Sequence, residues 1–212
     1  MVKKFSLLMI FLAVSGASVA QQPLGGALVH DLSLCDKKFF HALVDHLYEV
    51  SKLGNLQTHN DYAFFRVANR RMPSRSMVRF SEPLVVGNIA LDGYFDDIVD
   101  VNAQTSLISW GFLAPTSVRD AQAALKPFLW DYDRFRADGP VFVRSELWEV
   151  ASPEKGWQKI ATESGEPKPG TLERVFLIEP SRDVPRHVRI GCSVQGSVTS
   201  SIVQDLRPDL SE

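Results

Sequence analysis

Five arginines within one short segment form the strongest concentration of charge in the sequence. They are Arg66, Arg70, Arg71, Arg75 and Arg79. Guanidinium groups donate paired hydrogen bonds to carboxylates and phosphates, so this segment predicts a surface that binds an anionic partner. In the alternative interpretation, the arginines form a solvated loop that pairs within the chain with the acidic segment 92–100.

Four aspartates supply that acidic segment. They are Asp92, Asp96, Asp97 and Asp100. Their spacing does not match a calcium-binding loop, in which acidic or amide residues alternate with others ahead of a glycine. Two such carboxylates could include the acid and the base of a glycosidase, but no sequence pattern identifies such a pair. The sequence therefore leaves open whether these aspartates form a site.

The two cysteines of the chain, Cys35 and Cys192, are far apart in sequence. In an exported protein an even number of cysteines predicts a disulfide. The bond would close a very long loop, so the fold would be stabilised by roughly 4–5 kcal/mol. Two buried thiols and an intermolecular bridge are the alternatives.

The five histidines do not form a metal-binding pattern. His41 and His46 are five residues apart, so on one helix their side chains would point about 140° away from each other. The sequence also lacks an H-E-x-x-H pair, a C-x-x-C pair, a glycine-rich phosphate loop and a G-x-S-x-G nucleophile elbow. It therefore predicts no metal and no cofactor, and it favours a non-enzyme over an enzyme.

The first 20 residues have the pattern of a secretory signal peptide. Lys3 and Lys4 precede an apolar run at 5–14, and small residues follow at 17–20, as at a cleavage site. No later run is long and apolar enough for a transmembrane helix. The formal net charge is −2, which gives no general attraction to nucleic acid. We therefore expect an exported protein, periplasmic or secreted, without a nucleic-acid partner.

The remaining residues, 21–212, are expected to form a single α+β domain, or two similar halves at about 35–113 and 116–205. Hydrophobic periodicity predicts two main helices, the first at 37–52 and the second after Ser117. The predicted strands follow one another too closely for crossover helices. The fold class is therefore α+β with mostly antiparallel sheets, in the order helix–strands–helix–strands.

Three local patterns make finer predictions. Ser117 stands three residues before Asp120, which is the spacing of a helix cap. Gly111 lies in a predicted strand and indicates a bulge or a close approach of two backbones. Residues 187–194 alternate so that Cys192 points inward, toward the first helix. Two further segments are expected to be extended, a lead-in at 21–34 and a last strand at 197–204.

These observations lead to three hypotheses about function. The first is an exported binding protein that recognises another macromolecule, as an inhibitor, an immunity protein or an envelope-assembly protein would. It depends on the arginine-rich segment and on the absence of catalytic motifs, and its partner would be a protein. The alternatives are an envelope hydrolase that uses carboxylates and a structural envelope protein without a ligand. A cleft containing carboxyls with shifted pKa values would favour the hydrolase.

Overall fold

An antiparallel sheet of eight strands organises the chain, and α-helices pack against one of its faces. This computed structural model describes residues 23–102, 105–161, 167–197 and 200–210, and the predicted signal peptide lies outside them. The α-helices of the described residues are α1 (Leu24–Ser33), α2 (Lys38–Asp45), α3 (Leu47–Val50), α4 (Val118–Leu125) and α5 (Ser200–Leu206). None of these helices has both the length and the hydrophobicity needed to cross a membrane.

The strands form two sheets. They are β1 (Leu56–His59), β2 (Tyr62–Phe65), β3 (Met77–Val86), β4 (Ile89–Asp100), β5 (Ser106–Ala114), β6 (Arg136–Asp138), β7 (Val141–Glu149), β8 (Gln158–Ile160), β9 (Thr171–Pro180) and β10 (Val188–Gly196). The first two strands form a small sheet of their own. In the large sheet the order is β3-β4-β5-β10-β9-β7-β6, and β8 pairs with β7.

All described strand pairs are antiparallel, which confirms the predicted α+β class with mostly antiparallel sheets. Short connections explain this, because a parallel pair needs a crossover of a dozen or more residues. The helices are more numerous than predicted, since the described residues contain five rather than two main ones. The large sheet includes strands from both the first and the second part of the chain.

Strands β5 and β10 of the large sheet approach each other closely at two glycines. Gly111 of β5 lies directly opposite Gly191 of β10. A β-carbon on Gly191 would lie 2.9 Å from Cζ of Phe95 and would also collide with the backbone of β5. Two glycines therefore let these strands lie against each other and under the Phe95 ring, which confirms the close backbone approach predicted at Gly111.

The face of the large sheet that carries Cys192 is covered by helices and forms the core. Phe39 of α2 lies against Phe112 of β5, with ring centroids 5.7 Å apart. Cys35, in the turn between α1 and α2, forms the predicted disulfide with Cys192. Both cysteines are 1% exposed, so the bond joins the helices to the sheet inside the core.

Arg144 of β7 is a buried charged side chain on this covered face. It donates to the carbonyl oxygens of Ser33 at 2.8 Å and Trp130 at 3.0 Å, and it stacks on the Trp130 ring. Burial lowers the pKa of Arg144 to about 10, although the carboxylate of Glu146 opposes this change. These contacts fix the end of α1 and the segment after α4 to the sheet.

Two predictions near the N-terminus were wrong in detail. Within the segment expected to be extended at 21–34, the described residues form helix α1, which buries Leu28, Val29 and Leu32 against the core. The single helix predicted at 37–52 is interrupted at His46, whose backbone is not helical, so it becomes α2 and α3. In both cases packing on the sheet determines the secondary structure, and the helix propensities of the residues do not include this packing.

The prediction of a last strand at 197–204 was also wrong, because α5 begins at Ser200. Leu206, the last residue of α5, is 3% exposed and belongs to the core, and Ile202 packs against the same core. The cap of the second predicted helix is confirmed, since the amide of Asp120 donates to Oγ of Ser117 at 3.1 Å.

Candidate binding cleft

A cleft of about 760 Å³ lies on the face of the large sheet opposite the disulfide. Its floor is formed by side chains that alternate with the core residues of β5, β9 and β10, namely Leu107, Ser109, Val175, Leu177 and Ser193. Ser109 and Ser193 are cross-strand neighbours whose hydroxyl oxygens are 3.5 Å apart. The floor is therefore mostly apolar, with two hydroxyl groups near its centre.

Charged residues surround this floor. Six carboxylates line the cleft: Asp97, Asp100, Asp138, Glu173, Glu179 and Asp183. Four guanidinium groups line it as well: Arg70, Arg71, Arg182 and Arg189. A cavity of this volume, with an apolar floor and charged walls, has the size and composition of a ligand-binding site.

Arg189 of β10 links two of these carboxylates. Its Nη2 donates to Asp97 Oδ1 at 2.8 Å and Oδ2 at 3.1 Å, and its guanidinium lies 3.8 Å from the centre of the Phe95 ring. Arg189 Nε is buried without a hydrogen-bond partner among the described residues, and it lies 3.7 Å from Glu179 Oε1. One guanidinium therefore forms hydrogen bonds to Asp97 but only an ion pair with Glu179.

Both carboxyls are harder to ionise than usual. The pKa of Asp97 is raised because burial disfavours the charged form, and the attraction of Arg189 offsets only part of this effect. The pKa of Glu179 is raised for the same reason, with partial compensation from Arg189 and Arg182. Raised values in a cleft are typical of functional carboxyls, although internal ion-pair networks can produce them too.

The structure separates the predicted arginine segment into two groups. Three of its members pair with aspartates of β4: Arg70 with Asp96, Arg71 with Asp100, and Arg79 with Asp92. These pairs are the ones expected in the alternative interpretation of the segment. Arg66 and Arg75 are exposed, and their side chains form no described ion pair. They are the members of the segment that are most available to a partner.

Arg70 also helps to hold the C-terminal segment. Its Nη2 lies 2.7 Å from Asp209 Oδ2, and its Nε lies 2.7 Å from Asp96 Oδ2. Asp96 and Asp209 are buried, and they also bind the buried guanidinium of Arg207. Arg70 therefore contributes to an internal network, although it lies at the edge of the cleft.

The four aspartates of β4 do not converge on one site. Strand alternation sends Asp96 to the covered face and Asp97 to the cleft, while Asp100 pairs with Arg71 at the edge of the cleft. Asp92 lies inside β4 and pairs with both Arg79 and His187. Within the described ranges, no group of three or more potential metal ligands occurs.

Three exposed apolar residues stand next to Arg71 and Asp100 in the sequence, and these two residues pair at the edge of the cleft. We call the three apolar residues the mouth patch: Met72, Val99 and Val101, which are 45%, 47% and 48% exposed. Val99 is the cross-strand neighbour of Leu107 on the floor of the cleft. The loop that carries Met72 is fixed to β4 because the amide of Ile98 donates to the carbonyl of Arg70 at 2.9 Å. The patch therefore has a defined position next to the cleft.

A second cavity, of about 530 Å³, lies on the other side of the arginine segment. Arg66, Arg70 and Arg71 line it, and the last two of these also line the cleft. The arginine segment therefore forms the wall between two cavities. This arrangement could not be inferred from the sequence, because it depends on how the loop at 69–76 lies along β4.

The sequence did not single out Glu173, Glu179, Asp183 or Arg189 as site residues. The alternation of residues 187–194 did predict that Arg189 points away from the core. Its two carboxylate partners, however, lie 10 residues before it on β9 and 92 residues before it on β4. Only the order of the strands in the sheet brings these three side chains together.

Comparison of the chain with protein-family models, with curated proteins and with solved structures finds no match. We therefore infer function from the geometry and charge of the cleft and its mouth.

Proposed function

We propose that this chain is an exported binding protein that recognises another protein through the cleft and its mouth. The observation that carries the proposal is the mouth patch, where Met72, Val99 and Val101 are exposed beside Arg71. Methionine and arginine are among the residue types enriched in the core of protein interfaces.

The composition of the exposed surface supports this choice. Only six large apolar side chains of the described residues are prominently exposed, and three of them form the mouth patch. Single exposed apolar residues are common on monomeric proteins, whereas a group beside a cavity is typical of an interaction site. Arg66 and Arg75 add exposed positive charge elsewhere in the same arginine segment, and no described ion pair neutralises it. The partner would therefore present apolar side chains flanked by carboxylates.

The N-terminal sequence and the cysteines support export. Residues 1–20 have the pattern of a signal peptide, and the two cysteines form an intramolecular disulfide. Disulfides of this kind persist in oxidising compartments and are rare in the cytosol. We therefore place the mature chain in the periplasm or outside the cell, where its partner must also occur.

The test is affinity capture from an envelope and secreted-protein extract of the source organism. The bait is the oxidised mature chain, and captured proteins are identified by mass spectrometry. A triple variant, Arg66→Glu, Arg71→Glu and Arg75→Glu, reverses the charge of three exposed arginines of the arginine segment. A second variant, Met72→Asp with Val101→Asp, removes the apolar contact. Arg70 is left unchanged because it holds buried carboxylates, so its loss would disturb the fold.

Each variant has a matched control that makes the same chemical change elsewhere on the surface. Lys38→Glu, Arg119→Glu and Lys168→Glu reverse three exposed charges outside the cleft. Leu47→Asp with Tyr48→Asp replaces two other exposed apolar side chains. A stoichiometric partner that both mouth variants lose and both controls retain supports the proposal. Capture of nothing by the wild-type chain, or of a partner that the mouth variants retain, contradicts it.

One observation favours a second candidate, a carboxylate-dependent envelope hydrolase. The pKa values of Asp97 and Glu179 are both raised in the cleft, as expected for a carboxyl that acts as a general acid. Against it, both carboxyls pair with Arg189, which favours their charged forms. Incubation with cell-wall glycan and with nitrophenyl glycosides tests the candidate, since hydrolysis that is lost in Asp97→Asn and in Glu179→Gln would establish it.

A further inference from the structure

We infer that the partner inserts a lysine or arginine side chain into the cleft, at the end formed by Asp97, Glu179 and Asp183. This inference rests on the proposed function and specifies which group of the partner the cleft receives. It follows from an imbalance of charge among the side chains that line the cleft.

Two of the four arginines that line the cleft already form ion pairs with carboxylates at the edge of the cleft or outside it. Arg70 pairs with Asp96 and Asp209, which are buried beneath the covered face. Arg71 pairs with Asp100 at the edge of the cleft. Neither guanidinium is therefore available to neutralise the carboxylates in the interior of the cleft.

At least four carboxylates of the cleft, of which Asp183 is exposed and the others are buried or half-buried, then face two guanidinium groups. Arg189 is shared between Asp97 and Glu179, and its contact with Glu179 is longer than a hydrogen bond. Glu173 is 5% exposed and accepts a hydrogen bond from the neutral amide of Gln195 at 2.9 Å, which satisfies one oxygen but does not neutralise the charge. Asp183 adds repulsion that contributes to the raised pKa of Asp97. The interior of the cleft is consequently short of positive charge.

The group that the cleft receives must be a cation at the end of a narrow aliphatic side chain. The floor of the cleft is apolar around Leu107, Val175 and Leu177, and it would contact the methylene groups of a lysine or arginine side chain. The charged end would then lie among carboxylates that are partly shielded from water, where electrostatic attraction is stronger than at an open surface. The mouth patch would contact the surrounding surface of the partner, which explains why the cation belongs to a protein rather than to a free metabolite.

The inference can be tested without knowing the partner. The probes are N-acetyl-arginine amide and N-acetyl-lysine amide, with N-acetyl-glutamine amide and N-acetyl-glutamate amide as neutral and anionic controls. Binding to the ¹⁵N-labelled mature chain is followed by NMR. We expect the cationic probes alone to shift the amides of Arg189, Ser193 and Glu179 in a saturable way. Equal shifts with the glutamate probe, or shifts confined to residues outside the cleft, would overturn the inference.

Matched variants test which carboxylates bind the cationic probe. Glu179→Gln with Asp183→Asn is expected to weaken binding of N-acetyl-arginine amide by roughly tenfold, through the loss of partly buried charge contacts. Asp133→Asn with Glu154→Gln removes two exposed carboxylates outside the cleft and is expected to leave the affinity unchanged. An unchanged affinity in the cleft variant, with its amide spectrum otherwise preserved, overturns the inference.

The capture experiment separates this inference from the proposed function. One outcome is a partner that is retained by Glu179→Gln with Asp183→Asn but lost by the mouth variants. This result supports the proposed function and overturns the inference that the partner inserts a cationic side chain into the cleft. If the wild-type chain captures no partner, the proposed function fails, and with it the assignment of the cationic group to a protein. The NMR measurement then still decides whether the cleft itself selects cations.

Discussion

Arg207 forms a buried ion pair with Asp96, on the covered face of the large sheet. Its Nη2 donates to both carboxylate oxygens of Asp96 at 2.9 Å, and its guanidinium lies over the Trp110 ring. Both side chains are at most 1% exposed. This pair attaches the C-terminal segment, which follows α5, to the middle of β4.

Removal of Arg207 should therefore destabilise the fold strongly. Arg207→Met leaves Asp96 and Asp209 buried near each other, with Arg70 as their remaining described cationic partner. Such a change is expected to lower the free energy of unfolding by about 3–5 kcal/mol. Urea unfolding followed by circular dichroism measures it, and Arg119→Met on the surface of α4 should change stability by no more than about 0.5 kcal/mol. A loss below about 1 kcal/mol for Arg207→Met would show that the pair is not a structural attachment.

The disulfide should make a comparable contribution. Cys35 and Cys192 are separated by 157 residues, so in the chain-entropy model their bond stabilises the fold by about 5 kcal/mol. The double variant Cys35→Ser with Cys192→Ser is expected to lose about 2–5 kcal/mol, the range for native disulfides. Equilibrium unfolding of the variant, compared with the oxidised and reduced wild type, provides the measurement. A variant as stable as the oxidised wild type would contradict this account.

Gly191 is expected to tolerate no side chain. Gly191→Ala would bring a methyl group against the backbone of β5 and into the Phe95 ring, so the strands or the ring must move. Overpacking of this kind costs about 1–3 kcal/mol. Because 1 kcal/mol shifts Tm by about 2–4 °C for a chain of this size, thermal unfolding resolves the effect. A Tm equal to that of the wild type would mean that β5 and β10 are less closely packed than described.

Glu179 should behave as a binding residue rather than a stabilising one. Its pKa is raised in the fold, so the ionised form costs stability above that pKa, and the cost disappears as the pH falls through it. We expect Glu179→Gln to stabilise the chain at neutral pH by about 0.5–1 kcal/mol, as substitutions at functional sites often do. Unfolding free energies measured from neutral to acidic pH should converge for the two proteins below the ordinary glutamate pKa. Destabilisation at neutral pH would instead indicate a structural role.

Acid should release a cation from the cleft. Asp97 and Glu179 have raised pKa values, so on acidification they take up protons before an ordinary carboxyl does. Affinity for N-acetyl-arginine amide should be greatest above these raised values and should fall as the pH drops through them. NMR titrations at several pH values test this, with the buffer anionic and its concentration and the ionic strength held constant. An affinity that is independent of pH would contradict a role for these two carboxyls.

The sequence predicted an α+β protein with mostly antiparallel sheets and favoured the disulfide, but it did not predict the number of helices. Alternation at 187–194 was visible because each inward residue is apolar, and it correctly oriented Cys192 toward the core. The same rule could not assign Asp96 and Asp97, because adjacent residues of one type give no alternation. One of them is buried with Arg207 and the other lines the cleft, and only the neighbouring strands decide which.

Less of the candidate site than of the fold could be predicted from the sequence. Charge density directed attention to the arginine segment, yet Arg70 serves an internal network and Arg189 lies outside the segment. The segment near the C-terminus shows the same difficulty. A strand was predicted at 197–204, but packing of Leu206 and Ile202 on the core makes the segment from Ser200 helix α5. Contacts between distant parts of the chain determine both outcomes.

The position of the disulfide also constrains the order of events during synthesis. Cys35 leaves the ribosome 157 residues before Cys192, and its partner thiol lies on β10, the last strand of the large sheet. Covalent closure can therefore occur only after Cys192 has been synthesised. Until then the N-terminal helices must be held by noncovalent contacts alone, and the Cys35 thiol remains open to reaction with disulfides of other molecules. Formation of the native disulfide thus follows synthesis of the described strands of the large sheet up to β10.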